Sequence, residues 1–75
     1  MRVFLIGGAG TIGSATAAYL SSQSLVDEVV IYDQNHGFAE SHAMDLNQAN
    51  FCISKTHVTA GSWPDLARCD VVIVA

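Results

Sequence analysis

Apolar residues along this chain fall into short continuous runs separated by segments of helical spacing. Val3-Phe4-Leu5-Ile6, Val29-Val30-Ile31-Tyr32 and Val71-Val72-Ile73-Val74-Ala75 have strand length, and Val58-Thr59-Ala60 is a shorter candidate. Runs of this kind suit parallel strands covered on both faces. Between the first two runs, Ile12, Ala15, Thr16, Tyr19 and Leu20 recur at i, i+3, i+4, i+7 and i+8. That spacing predicts a helix over Thr11 to Ser22 with these five residues on its inward face. Ala15 and Ala18 are the small residues expected to let the helix approach the sheet. Ser21-Ser22-Gln23-Ser24 is a polar break of weak helix formers. Asn35-His36-Gly37 predicts a turn, and Phe38 to Gln48 a second helix. Gly61 to Arg68 predicts a connection with one helical turn after Pro64, because proline suits the first helical position. Strands alternating with helices predict an α/β fold around a parallel sheet.

The chemistry is concentrated where the first strand meets the first helix. Gly7-Gly8-Ala9-Gly10-Thr11-Ile12-Gly13 satisfies two glycine templates, G-x-G-x-x-G through Gly8, Gly10 and Gly13, and G-x-x-G-x-x-G through Gly7, Gly10 and Gly13. Glycine permits a tight strand-to-helix turn, admits a pyrophosphate close to the backbone and lets the helix pack against the sheet. The helix N-terminus adds unpaired N–H groups and about half a positive charge. A glycine motif alone also fits a plain surface turn. Here it follows a strand, opens a helix, and has Asp33 twenty positions after Gly13, where a dinucleotide fold places its ribose-binding acid. A carboxylate there accepts ribose hydroxyls and repels a 2′-phosphate. Gln34, Asn35 and His36 follow with no Arg or Lys among them, which favours NAD over NADP. The expected fold is therefore the N-terminal part of a Rossmann-type doubly wound parallel sheet.

Composition narrows the alternatives. Only 13% of residues are charged, against about 25% in a typical domain. The apolar run Val71–Ala75 has no polar stop after it, and an open apolar edge invites aggregation. Both features lead us to expect residues 1–75 to be the N-terminal part of an NAD-binding domain, broken off after its fourth strand. The net charge of −4 and the absence of a basic cluster weigh against nucleic-acid binding. No apolar stretch approaches the roughly 20 residues of a membrane-spanning helix, so no membrane partner is expected. Cys52 and Cys69 form no CxxC pair, which suits reduced packing thiols in a cytoplasmic protein rather than a metal site or a disulfide. His36, His42 and His57 have no serine, cysteine or carboxylate at a spacing that builds a dyad, and Trp63 is expected to be a packing residue. No catalytic residue is assigned.

The sequence resembles the start of the lactate/malate dehydrogenase family over nearly all 75 residues. The resemblance rests on Val3 to Gly13, on Asp27-Glu28-Val29-Val30-Ile31-Tyr32-Asp33, on Ala43-Met44-Asp45-Leu46-Asn47, and on Asp65 to Ala75. It implies that the backbone of Gly7, Gly8, Ala9, Gly10, Thr11, Ile12 and Gly13 holds the pyrophosphate of NAD, and Asp33 the ribose. It further implies a small 2-hydroxy or 2-keto acid as substrate and a homo-oligomer as the working form. The G-x-x-G-x-x-G register with Ala9 is similar to the malate branch, although Gly8 stands where that branch has alanine, so the resemblance implies malate as the substrate, with lactate next. The family's substrate-binding arginines and its His/Asp proton relay lie beyond these residues, so no turnover is expected from them alone. Two other readings are open: an extended short-chain dehydrogenase or epimerase, which shares Gly7-Gly8-Ala9-Gly10, and a non-enzymatic NAD-sensing module.

Overall fold

The computed structural model describes residues 1–75 as β1 (Arg2–Ile6), α1 (Thr11–Ser22), β2 (Glu28–Tyr32), α2 (His36–Ala49), β3 (His57–Ala60), a 3₁₀ segment (Trp63–Arg68) and β4 (Val71–Val74). The four strands form one parallel sheet in the order β3-β2-β1-β4. The chain steps outward from β1 to β3 and then crosses back to place β4 on the far side of β1. The crevice where the strand order reverses, at the C-terminal strand ends, is the usual ligand position of such sheets. No helix is long and apolar enough to cross a membrane.

Strand alternation divides the side chains between two faces. Val3, Leu5, Val29, Ile31 and Val58 form the core with Ala17 of α1 and with Ala39, Ala43 and Leu46 of α2. Phe4 and Val30 project from the opposite face and are nonetheless fully buried. The 3₁₀ segment lies over them: Trp63 stacks on Phe4 and packs at a tilt against Tyr32, with ring centroids 5.9 and 4.6 Å away. At its far end Arg68 is ion-paired to Glu28 at 2.6 Å.

Two expectations are corrected. The inward face of α1 is Gly13, Ala17 and Ser21, not Ile12, Ala15, Thr16, Tyr19 and Leu20. Ile12 and Tyr19 are 72% and 62% exposed, Ala15 is exposed too, and Leu20 and Ala18 only flank the core. The helix leaves the glycine turn so close to the sheet that only the smallest side chains fit beneath it, and the larger apolar ones turn outward. His36 and Gly37 belong to α2 rather than to a turn, because the Asn35 side chain accepts the Phe38 N–H at 3.1 Å and caps the helix, which so begins two residues before Phe38. Among residues 1–75, β4 stands at the end of the sheet with Val71, Val72 and Val74 exposed.

At the opposite edge the Asn47 side chain stands in for a missing neighbour of β3. Its Nδ2 donates to the Val58 carbonyl at 2.7 Å and its Oδ1 accepts the Val58 N–H at 2.9 Å. One amide thus satisfies both outward backbone groups of that residue.

Candidate functional site

The strand-to-helix turn after β1 is a tight arch. Gly7 has φ +80°, which β-carbon-bearing residues rarely adopt. A Cβ at Gly13 would lie 1.9 Å from the Gly7 carbonyl oxygen, and one at Gly8 would lie 2.5 Å from Ile31 Cγ2. The chain itself therefore requires small residues at both positions. Gly10 is different. A Cβ there meets only the Gly7 oxygen, at 3.4 Å, and the backbone angles, φ −76° and ψ 177°, suit any residue. Nothing in the fold demands glycine at this point; the missing side chain leaves open space before the helix.

Hydrogen bonding then sorts the amides of Gly7 to Gly13. Gly7 and Gly8 both donate to the Tyr32 carbonyl, at 2.8 and 3.2 Å, and Gly10 donates to the Gly7 carbonyl at 3.1 Å. Ala9 donates to Asp33 Oδ2 at 3.2 Å. The amides of Thr11, Ile12 and Gly13, the first turn of α1, have no partner within the chain. No side chain caps α1 and its first turn holds no acid, so its positive end is free for an anion. Of the seven residues expected to hold a pyrophosphate, three offer free donors and the other four build the arch that presents them.

Asp33 stands at the end of β2, as its position predicts. Its Oδ1 accepts the Asn35 N–H at 3.0 Å and its Oδ2 the Ala9 N–H. A carboxylate offers about four lone-pair directions, so about two remain for ribose hydroxyls. Arg2 opens β1, and Lys55 and Arg68 precede β3 and β4, so all three basic residues lie at the opposite end of the sheet. Nothing among these residues could neutralise a 2′-phosphate, and the donor set fits NAD.

Ile6, Gly7, Tyr32, Asp33, Gln34 and Trp63 line a crevice of about 540 Å³ at this end of the sheet. Trp63 is the residue that the sequence reading did not place here. Its only sequence signal was an aromatic three positions beyond the end of the β3 candidate. A larger groove of about 930 Å³ between α2 and β3 shares no residue with the glycine turn.

The remaining titratable groups lie elsewhere. Glu28 sits at the opposite end of the sheet, where the Arg68 guanidinium holds its carboxyl below the ordinary value despite partial burial. His36 pairs with Glu40 at 3.0 Å, His42 Nε2 lies 3.3 Å from the Ser14 carbonyl, and His57 is exposed. None of them lines the crevice. Cys52 and Cys69 are free thiols, and burial raises that of Cys69 above its usual range.

Comparison with known proteins agrees with this geometry. The family model for the NAD-binding domain of lactate/malate dehydrogenase matches residues 1–75. L-lactate dehydrogenase 3 of Bacillus cereus is 38% identical over 74 residues, covering 97% of this chain and 23% of the relative. The L-lactate dehydrogenase of Treponema denticola is 37% identical over 73 residues, with the same coverage. Among solved structures, a lactate dehydrogenase from a Medee basin deep-sea metagenome library superposes with a TM-score of 0.90 at 31% identity, over 99% of this chain and 24% of that one. Cryptosporidium parvum malate dehydrogenase gives 0.85 at 32% identity, with the same coverage. The chain thus spans about a quarter of the length of these relatives.

Proposed function

The chain belongs to the lactate/malate dehydrogenase family, and from that premise we propose that its crevice holds NAD for the oxidation of a 2-hydroxy acid. The observation that carries the proposal is the set of three unpartnered amides at Thr11, Ile12 and Gly13 beside the open position at Gly10. In this reading those amides hold the pyrophosphate, Gly7, Gly8, Ala9 and Gly10 shape the arch, and Asp33 takes the adenosine ribose. When bound, NAD supplies the nicotinamide that accepts hydride from the substrate carbon. These residues contribute binding and orientation to that step and no proton-transfer group.

For the substrate, the glycine register supports malate, and similarity to curated L-lactate dehydrogenases supports lactate. We take the class they share, a small 2-hydroxy acid. The free thiols support a reducing, cytoplasmic setting. Trp63 is the sole tryptophan and lines the crevice, so its emission serves as a direct assay. NADH is expected to change it with a tighter midpoint than NADPH. Equal midpoints, or no response to either, would overturn the cofactor assignment. Turnover of oxaloacetate and pyruvate by the whole protein then separates the two substrates.

A further inference from the structure

We propose that Asp33 is also a positioning residue for the anion-binding turn, a role that rests on the NAD reading above. The arch hangs on two consecutive residues of the β2 terminus. The Tyr32 carbonyl takes the amides of Gly7 and Gly8, and the Asp33 carboxylate takes that of Ala9. Ala9 is the last residue before Gly10, from which α1 starts. The orientation of the Ala9–Gly10 segment sets how the free amides of Thr11, Ile12 and Gly13 face the crevice. Asp33 is itself held on the other side: its Oδ1 accepts the Asn35 N–H, and Asn35 caps α2. One carboxylate therefore ties together the entries to both helices while keeping lone pairs for ribose. The ribose and pyrophosphate subsites share a structural member.

Charge alone predicts the opposite of this role. A carboxylate beside an anion site repels the anion, so removing it should tighten binding of a phosphate that makes no ribose contact. Comparing Asp33→Asn with Asp33→Ala separates the two effects. Both variants lose the charge, and only Asn keeps a side-chain oxygen to accept the Ala9 N–H.

The probe is inorganic pyrophosphate, which has no ribose, read by titration alongside hydrogen exchange of the Ala9 amide. The Asn variant is expected to bind pyrophosphate roughly 3- to 10-fold more tightly than the Ala variant, the range of one hydrogen bond. The Ala9 amide should exchange faster in the Ala variant than in the Asn variant. Equal affinities together with equal exchange would overturn the positioning role and leave Asp33 acting on ribose alone. Wild-type NADH binding, measured in the same series, tests the NAD reading separately. The exchange comparison decides the positioning role whether or not NADH binds.

Discussion

Gly13 and Gly10 belong to the same motif, yet the structure assigns them different work, and alanine at each position should separate stability from binding. At Gly13 a new Cβ would stand 1.9 Å from the Gly7 oxygen, 2.7 Å from its carbonyl carbon and 2.9 Å from Gly8 Cα. All three are backbone atoms of the arch, so no side chain can swing away. Ordinary contact begins near 3.4 Å, and the helix must retreat by most of the difference of 1.5 Å (3.4 − 1.9). Overpacking of this kind costs about 1–3 kcal/mol. Each kcal/mol shifts Tm by about 2–8 °C according to domain size, so Gly13→Ala should lower Tm by roughly 4–16 °C at the middle of the cost range. At Gly10 the only contact is at 3.4 Å and φ is already −76°. The loss of unfolded-state freedom contributes about 0.4–1 kcal/mol of stability. That gain offsets a comparable penalty for alanine at a helix N-cap. Gly10→Ala should therefore leave Tm nearly unchanged while placing a methyl group in the space before the free amides, weakening NADH binding. Thermal unfolding by circular dichroism gives the first quantity and the Trp63 titration the second. A Gly13→Ala protein that melts with the wild type would refute the steric reading of the arch. Wild-type NADH affinity in Gly10→Ala would refute the claim that this glycine is kept for the ligand.

Two further predictions concern the edges of the sheet. Asn47→Ala removes both partners of Val58, leaving a buried residue's backbone donor and acceptor unpaired, and should cost about 1–3 kcal/mol. The opened β3 edge should also raise the light-scattering mass with concentration, and unchanged melting and mass would show that Asn47 does not guard it. Glu28 has its folded carboxyl held below 4.5, first by the Arg68 hydrogen bond. The stability it contributes is complete above pH 4.5 and declines as pH falls through the lowered value. Arg68→Gln should flatten the acid limb of the stability curve below that pH, and urea unfolding across a pH series would expose an unaltered limb.

Residues whose roles follow from local chemistry were legible in the sequence. The strands showed as apolar runs because β1 and β2 are buried on both faces, so Val3, Phe4 and Leu5 all had to be apolar. The position of Asp33 at the end of β2 was legible from its spacing, since the length of α1 and the loop after it fixes where β2 ends. The α1 face was not, and the reason is physical. Hydrophobic periodicity finds the side with the largest apolar residues, whereas contact with a closely approached sheet selects the smallest. Gly13, Ala17 and Ser21 carry almost no hydrophobic signal, although Ala17 and Ser21 are fully buried. Trp63 packs as expected, on Phe4 and Tyr32, but its place at the crevice was hidden for a different reason: it depends on the crossover that returns the chain over Val30. A Cβ at Gly61 would fall 2.3 Å from Val30 Cγ1, which shows how tightly that crossover hugs the sheet. Nothing local in Gly61-Ser62-Trp63 announces it.

The division of labour within the glycine motif was hidden for a third reason. Sequence marks which residues lack side chains but not which amides are already spent, and that depends on Tyr32 and Asp33, more than twenty positions away. Once the amides of Gly7, Gly8, Ala9 and Gly10 are accounted for, the donors left free are those of the first turn of α1. The outward turn of Ile12 follows from the same geometry. With Gly13 pressed against the arch, the residue before it must face the solvent side of the helix. An exposed isoleucine beside the free amides is thus a by-product of that close approach.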